Sequence, residues 1–361
     1  MPKVFMFAPT GDSYKFLEAN GCEVQLGKRE WHEPGGDHQT EIISMARGAD
    51  AFAGTSMRSS PISRRVLEAA PDLRVVAKST VGVDEIDVDA CTELGILVTH
   101  APVESNWGNI AEVTITFMLA LLKGLQQQDA TIKEGGWWME GRQGIYVGSR
   151  QSDGYAGITL GIIGLGRIGG RVAQLLRPWN INILACDPYV PDYRFLEFGV
   201  KPVDLETLLR HSDVVTLHVV LNKETRHMIG AKELAMMKPT AILLNTSRGG
   251  AVDEKALCDA LDEGVIAGTG LNAFEDEPLA EDSPLRRMGS KVLLRPHGGV
   301  PPASAATVGR SVSQATEWLN TDVLKALRGE LPIHVFNTDA IPLWLERFGG
   351  KPVLETPQST T

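Results

Sequence analysis

Short apolar runs alternate with stretches of helical spacing along almost the whole chain. In the first hundred residues Val4–Phe7, Glu23–Leu26, Ala51–Ala53, Arg74–Ala77 and Ile96–Thr99 read as strands, and Tyr14–Ala19, Thr40–Ala46, Ile62–Ala69 and Val88–Glu93 as helices. Strand and helix in strict alternation predict an α/β layer. The character changes near Ala101–Gly108, and the apolar segment Ala111–Lys123 predicts a long helix. Lys133–Gly157 follows without a clear period and holds Trp137, Trp138 and Tyr146. A stretch that long with no element of its own is expected to wrap a partner subunit or cover a site. From there the strands return regularly: Ile158–Ile163, Asn182–Cys186, Val214–Leu217, Ala241–Asn245, Val265–Gly270 and Val292–Leu294, with helical segments between them. That pattern predicts a doubly wound parallel sheet. Gly298–Pro302 reads as a hinge, after which the helix Ala305–Arg328 returns to the first layer. The expected division is a first domain over 1–104, a second over 105–299, a returning part over 300–340 and a tail over 341–361, whose polar end, Glu355–Thr361, is expected to be disordered.

Composition narrows the class without naming a chemistry. A chain of 361 residues suggests about two domains. No apolar run approaches the roughly 20 residues of a membrane span, and MPKVFMFAPTG lacks the basic and apolar regions of a secretory signal. The four cysteines, Cys22, Cys91, Cys186 and Cys258, are far apart with no CxxC, which predicts reduced thiols in a cytoplasm and no bound metal. A net charge of −10 argues against nonspecific nucleic-acid binding.

The first chemistry lies in Gly161–Asp187, GIIGLGRIGGRVAQLLRPWNINILACD. An apolar run leads into Gly164-x-Gly166-x-x-Gly169, then into a helix with Ile168, Val172, Leu175 and Leu176 on one face, then into a second run ending in Asp187. Gly164 permits the tight turn, Gly166 lets backbone approach a pyrophosphate, and Gly169 lets helix pack on strand. The helix N-terminus offers N–H groups and partial positive charge to phosphates. Asp187 lies 18 residues beyond Gly169, placed to accept hydrogen bonds from an adenosine ribose and to repel a 2′-phosphate. Pro188, Tyr189 and Val190 follow with no Arg or Lys, so NAD(H) is expected over NADP(H).

Ligands of open α/β sheets sit beyond the carboxyl ends of the strands. Three side chains fall there: Arg248 in NTSRGG, Glu277 in GLNAFEDEP and His297 in RPHGG. An imidazole to exchange a proton, a carboxylate to orient it and a guanidinium to hold a carboxylate would make a hydride-transfer site. Position alone leaves other readings open: a structural histidine, a loop-capping arginine and a solvated turn acid.

These residues give the chain its resemblance to the D-isomer-specific 2-hydroxyacid dehydrogenases, along nearly its whole length. Val81–Pro102, VGVDEIDVDACTELGILVTHAP, resembles that family's substrate-domain signature. Gly164–Gly169 with Asp187, Leu217–Ile229, Met237–Leu257, EDEP and PHGG resemble the rest of the set. The resemblance implies a Rossmann lobe and a smaller flavodoxin-like substrate lobe built from both chain ends, with a cleft between them, and a homodimer through the cofactor lobe by way of Ala111–Gly157. It implies Arg248 as the catalytic, substrate-binding arginine, Glu277 as the partner of the histidine, and His297 as the acid/base. It assigns the substrate carboxylate to the N–H groups of Val81 and Gly82, the pyrophosphate to Arg167 and Ile168, the ribose side to His218, Val219 and Thr246, and the nicotinamide to Asn272. Asn272 stands where the family usually has Asp, Val220 where it has Pro, Thr80 where many members have Gly or Asn, and Arg295 where a small polar residue is usual. The implied partner is a small 2-hydroxy or 2-oxo acid. Met57 and Arg58 occupy a turn that faces the substrate side chain in the family; Arg58 is a candidate for a second carboxylate or a phosphate, the alternative being a surface arginine. Trp107 and the Trp137–Trp138 pair are candidates for a large pocket or, more readily, for packing. A chain ending soon after the sheet weighs against the serine-regulated type of phosphoglycerate dehydrogenase. Two other functions stay open: an NADH-sensing corepressor without turnover, and oxidation of formate or phosphite on the same fold.

Overall fold

The computed structural model describes residues 1–9, 12–28, 38–55, 60–137, 144–297 and 305–355, except for the side chains of 305–313. The chain divides into two compact units, Met1–Asn106 with Pro302–Thr361, and Trp107–Pro301.

The first unit is a parallel sheet of β1 (Lys3–Ala8), β2 (Glu23–Leu26), β3 (Ala51–Gly54), β4 (Val75–Lys78) and β5 (Leu97–Thr99). Its order, β2-β1-β3-β4-β5, is that of the flavodoxin-like sheet. The central strands are buried on both faces, which is why AFA and VVA read as unbroken apolar runs rather than alternating ones. One face packs on Ile42, Val66, Leu67 and Cys91. The other packs on Leu319, Val323, Leu327, Trp344 and Phe348 from the returning end of the chain.

That return extends further than the sequence pattern suggests. The expectation of a tail over 341–361 is corrected by a helix at Ile341–Phe348. Trp344 in it is fully buried, and its indole Nε1 donates to the Arg74 carbonyl at 2.9 Å. Ile341, Trp344 and Phe348 recur at helical spacing, so the signal is present in the sequence. Upstream, Val335 bridges Thr99 antiparallel, and Asn337 accepts from the Val98 N–H at 2.7 Å, covering the exposed edge of β5.

The second unit has β6 (Thr159–Ile163), β7 (Asn182–Cys186), β8 (Lys201–Pro202), β9 (Val214–Leu217), β10 (Ile242–Asn245), β11 (Gly268–Leu271) and β12 (Val292–Leu294). All pairs are parallel, in the order β12-β11-β10-β9-β6-β7-β8, the Rossmann arrangement with an added edge strand. β11 starts later than the expected Val265–Gly270 and runs to Leu271, because its ladder with β10 begins at Gly268, after the buried Ile266. The helix Glu104–Leu122 begins well before the expected Ala111 and buries Ala111, Thr114, Phe117, Met118 and Leu122. Among the described residues no single helix is long and apolar enough to cross a membrane. Within 133–157, the described part carries turns rather than a strand, and Trp138 lies outside the described residues, as does the expected hinge Gly298–Pro302.

Candidate functional site

The register of the second sheet sets one row of residues at the strand ends. Cys186, Ile163, Leu217, Asn245, Leu271 and Leu294 are mutual partners across β7, β6, β9, β10, β11 and β12. Parallel strands leave this row together, so the next residue of each strand stands at one level: Asp187, Gly164, His218, Thr246, Asn272 and Arg295. Five of these six are positions that the sequence marks for the cofactor.

Gly164 has φ +92° and donates its N–H to the Cys186 carbonyl at 2.9 Å. A Cβ there would stand 2.5 Å from the His218 carbonyl oxygen, so only glycine lets β6 turn this close to β9. A Cβ on Gly169 would stand 2.1 Å from the Gly164 oxygen and 3.0 Å from Ile162 Cγ2 in β6, so the helix lies close against the turn and the strand there. A Cβ on Gly166, by contrast, would meet nothing within 4 Å. Gly166 caps the helix Arg167–Leu176, whose first N–H groups lack intrahelical acceptors, with Arg167 exposed and Ile168 partly buried.

Asp187 is held by backbone on both oxygens. Oδ2 accepts from the Leu165 N–H at 2.8 Å, inside the glycine loop, and Oδ1 from Tyr189 N–H at 2.9 Å. The Tyr189 hydroxyl donates to Glu224, joining the segment after β7 to the loop after β9. His218 places Nε2 3.1 Å from Thr216 Oγ1, and burial pushes its pKa down to about 3, so the ring is neutral. Val219 packs partly buried beside Gly164. Thr246 is buried and its hydroxyl pairs with that of Thr114 at 2.9 Å. Asn272 is fully buried, with Nδ2 3.4 Å from the Pro296 carbonyl and Oδ1 without a partner among the described residues.

These residues fit a dinucleotide at two points. Open space lies against Gly166 and the helix N-terminus, where a pyrophosphate needs it. The Asn272 Oδ1 is a buried acceptor lacking a donor, which a carboxamide N–H would satisfy.

The three proposed catalytic side chains lie further along the loops. His297 Nδ1 is 2.7 Å from Glu277 Oε1 and 3.0 Å from Oε2, and both side chains are largely buried. Since a carboxylate only accepts, Nδ1 carries the proton and Nε2 is the atom left to exchange one. The Phe274 N–H donates to Glu277 Oε1 at 3.1 Å and fixes the carboxylate. Arg248 follows β10 through a tight turn organised by Asn245, whose Nδ2 donates to the Arg248 carbonyl and whose Oδ1 accepts from the Ser247 N–H and hydroxyl. Two residues of this region escape a reading of the sequence alone. One is Asn245; its signal is an Asn immediately before a turn. The other is Gly249, where a Cβ would stand 1.8 Å from the Phe274 carbonyl carbon. The backbones of the Arg248 turn and the Glu277 loop therefore touch.

In the first unit, Val81 and Gly82 sit in the loop after β4. Among the described residues no hydrogen bond takes the N–H of either. Arg58 and Met57 lie outside the described residues.

Residues 115–299 match the model of the D-isomer specific 2-hydroxyacid dehydrogenase NAD-binding domain. A glyoxylate reductase of Korarchaeum cryptofilum is 40% identical over 315 residues, 86% of this chain and 90% of that protein. A D-3-phosphoglycerate dehydrogenase of Methanocaldococcus jannaschii is 37% identical over 332 residues; the match covers 92% of this chain and only 58% of that longer protein. The crystal structure of a glyoxylate reductase from Paecilomyes thermophila superposes with a TM-score of 0.76 at 27% identity, covering 92% of this chain and 98% of that one. With the strand-end row and the glycine loop, these similarities settle the matter: the chain belongs to the D-isomer-specific 2-hydroxyacid dehydrogenases, a family of NAD-dependent oxidoreductases.

Proposed function

We propose that the protein interconverts a D-2-hydroxy acid and its 2-oxo acid, with His297 as acid/base, Glu277 as its partner and Arg248 as the group that holds the substrate. The observation that carries this reading is the His297–Glu277 contact, 2.7 Å and 3.0 Å, beyond the strand ends. NAD, when bound, accepts or donates the hydride. Gly164, Gly166, Arg167, Ile168 and Gly169 would hold its pyrophosphate, Asp187, His218, Val219 and Thr246 its ribose side, and Asn272 its carboxamide.

In the reducing direction His297 Nε2 delivers a proton to the oxygen of the 2-oxo group. Glu277 keeps the ring oriented and favours the imidazolium, since an opposite charge at this distance stabilises the charged form. Arg248 pairs with the substrate carboxylate and stabilises charge developing on the adjacent oxygen. The family resemblance gives the carboxylate two further donors, the N–H groups of Val81 and Gly82. Similarity to glyoxylate reductases puts small 2-oxo acids first among substrates. The same reading includes a homodimer through the cofactor unit, where Leu125, Ile132, Trp137 and Ile145 are exposed apolar side chains. It also includes a reducing, cytoplasmic setting, in keeping with four unpaired cysteines.

The test is NADH consumption against 2-oxo acids graded from glyoxylate upward, and NADH formation from NAD with 3-phosphoglycerate in the oxidising direction. Wild type and His297→Ala are run in parallel. A positioned general acid contributes about a hundred- to ten-thousandfold, so the variant should lose that much turnover while still binding NADH. An active His297→Ala enzyme removes the assignment, and NADH binding without turnover of any acid removes the function.

A further inference from the structure

We propose that His100 and the buried Lys78–Glu85 pair are positioning residues that preset the loop after β4 for the substrate carboxylate. The inference rests on the reading above, in which the N–H groups of Val81 and Gly82 hold that carboxylate.

Every carbonyl from Thr80 to Val83 is already spent within the first unit. Thr80 O accepts from the Ala101 N–H at 2.9 Å, and Val81 O from His100 Nδ1 at 3.0 Å. Gly82 O accepts from the Thr80 hydroxyl at 3.2 Å, and Val83 O from the Ile86 N–H at 2.9 Å. The N–H groups of Val81 and Gly82 are not spent among the described residues. In a trans peptide the N–H points opposite to the C=O of the same plane. The Val81 N–H shares a plane with Thr80 O, and the Gly82 N–H shares one with Val81 O. Residues 100 and 101 thus fix both planes by their carbonyls and aim both donors the other way. Successive N–H groups aimed to one side form an anion-binding concavity.

His100 is built for this task. Its own N–H donates to the His334 carbonyl at 3.1 Å, and its ring stands edge-on to Phe336, with centroids 5.3 Å apart. Because Val81 O only accepts, Nδ1 is the protonated nitrogen. A donor on that carbonyl also polarises the peptide, making the Gly82 N–H a better donor.

The ends of the loop are fixed by charge. The Lys78 side chain is wholly buried at the end of β4, and it donates to Glu85, whose side chain is 11% exposed. Glu85 is anchored in turn: its carbonyl accepts from the Ile62 N–H at 2.8 Å, and Ile62 O accepts from the Asp87 N–H at 3.0 Å. A buried pair is no better for stability than apolar side chains of like volume. What it adds is a link across the loop, from the end of β4 to Glu85.

The experiment uses the full-length enzyme with saturating NADH and the best 2-oxo acid from the panel. His100→Phe keeps the ring and removes the donor, and His100→Asn restores an N–H. His100→Phe should raise KM for the acid about tenfold, within the worth of a hydrogen bond to a charged group, with kcat within about threefold of wild type. NADH affinity, read by fluorescence titration, should not move. His100→Asn should recover most of the loss. The double variant Lys78→Met/Glu85→Met removes both charges of the pair together; it should keep its Tm within a few degrees yet raise KM similarly. An unchanged KM in His100→Phe, or a loss confined to kcat, overturns the proposal, as does a double variant that melts early with normal KM. A wild type inactive on every 2-oxo acid is a different failure: it removes the parent reading, and this one with it.

Discussion

Gly249→Ala is the most exacting perturbation of the candidate site, because it adds one methyl where two loops touch. The new Cβ would lie 1.8 Å from the Phe274 carbonyl carbon and 1.9 Å from its oxygen, where ordinary contact begins at 3.4 Å. The two backbones must therefore part by about 1.6 Å. One of them carries Arg248; the other carries Phe274 and Glu277. A shift of that size exceeds what the 2.7 Å and 3.0 Å contacts between Glu277 and His297 tolerate. Displacement by about 1 Å at a reacting centre is worth about a hundredfold in rate, so kcat should fall by at least that much. Overpacking of this kind costs about 1–3 kcal/mol, which a thermal melt should register as a drop of several degrees. The glycine loop follows β6, so the open space at Gly166 that a pyrophosphate would use is left as it is. Gly250→Ala is the control, since its nearest neighbours would be the Leu221 methyls, at 3.2 Å and 3.4 Å. Turnover in Gly249→Ala above a third of wild type, or equal damage from Gly250→Ala, would refute the reasoning.

Two further outcomes are expected. Asp187→Ala should weaken NADH by about ten- to a hundredfold, the worth of hydrogen bonds to a charged group, and NADPH much less, by equilibrium titration; a wild type that already prefers NADPH would contradict the role given to Asp187. His218 contributes a pH dependence of stability. The unfolded ring takes up a proton below about 6.5, but the buried one only near pH 3. The unfolded state therefore binds more protons over this window, and stability falls as pH drops from about 6.5 towards 3. At pH 5 the loss reaches up to about 2 kcal/mol. His218→Gln, which does not titrate, should flatten the fall of Tm between pH 7 and 5; parallel Tm curves would exclude the effect.

Much of the fold is legible because it depends on period and punctuation. The runs ILLN and TLGII, buried on both faces, announce parallel strands, and Gly164–Gly169 marks the turn that follows β6. The strand-end side chains are legible for the same reason: once a strand's end is placed, its next residue is placed too. What escapes is set by distant contacts. Ile266 looks like strand because burial, not pairing, is what apolar residues record. Gly249 gives no local sign, since its constraint comes from Phe274, 25 residues on. The helix Ile341–Phe348 carries the right spacing, but nothing local shows that a buried face awaits it. The support for Val81 and Gly82 comes from His100 and Ala101, which only the sheet brings alongside.

The split construction of the first unit fixes an order of assembly. The second unit is one continuous stretch, Trp107–Pro301, and all its strands have emerged from the ribosome before the returning segment, Pro302–Thr361, is complete. The first unit has no such freedom. The indole of Trp344 and the side chain of Asn337 hold Arg74 and Val98 across more than two hundred residues of chain. Loop closure over that distance comes late and slowly. During synthesis the nascent protein thus carries a completed cofactor-binding sheet while β1–β5 still lack one of their two covering layers. In that interval the apolar face later closed by Leu319, Val323 and Leu327 of the returning helix is the surface a chaperone would be called on to shield.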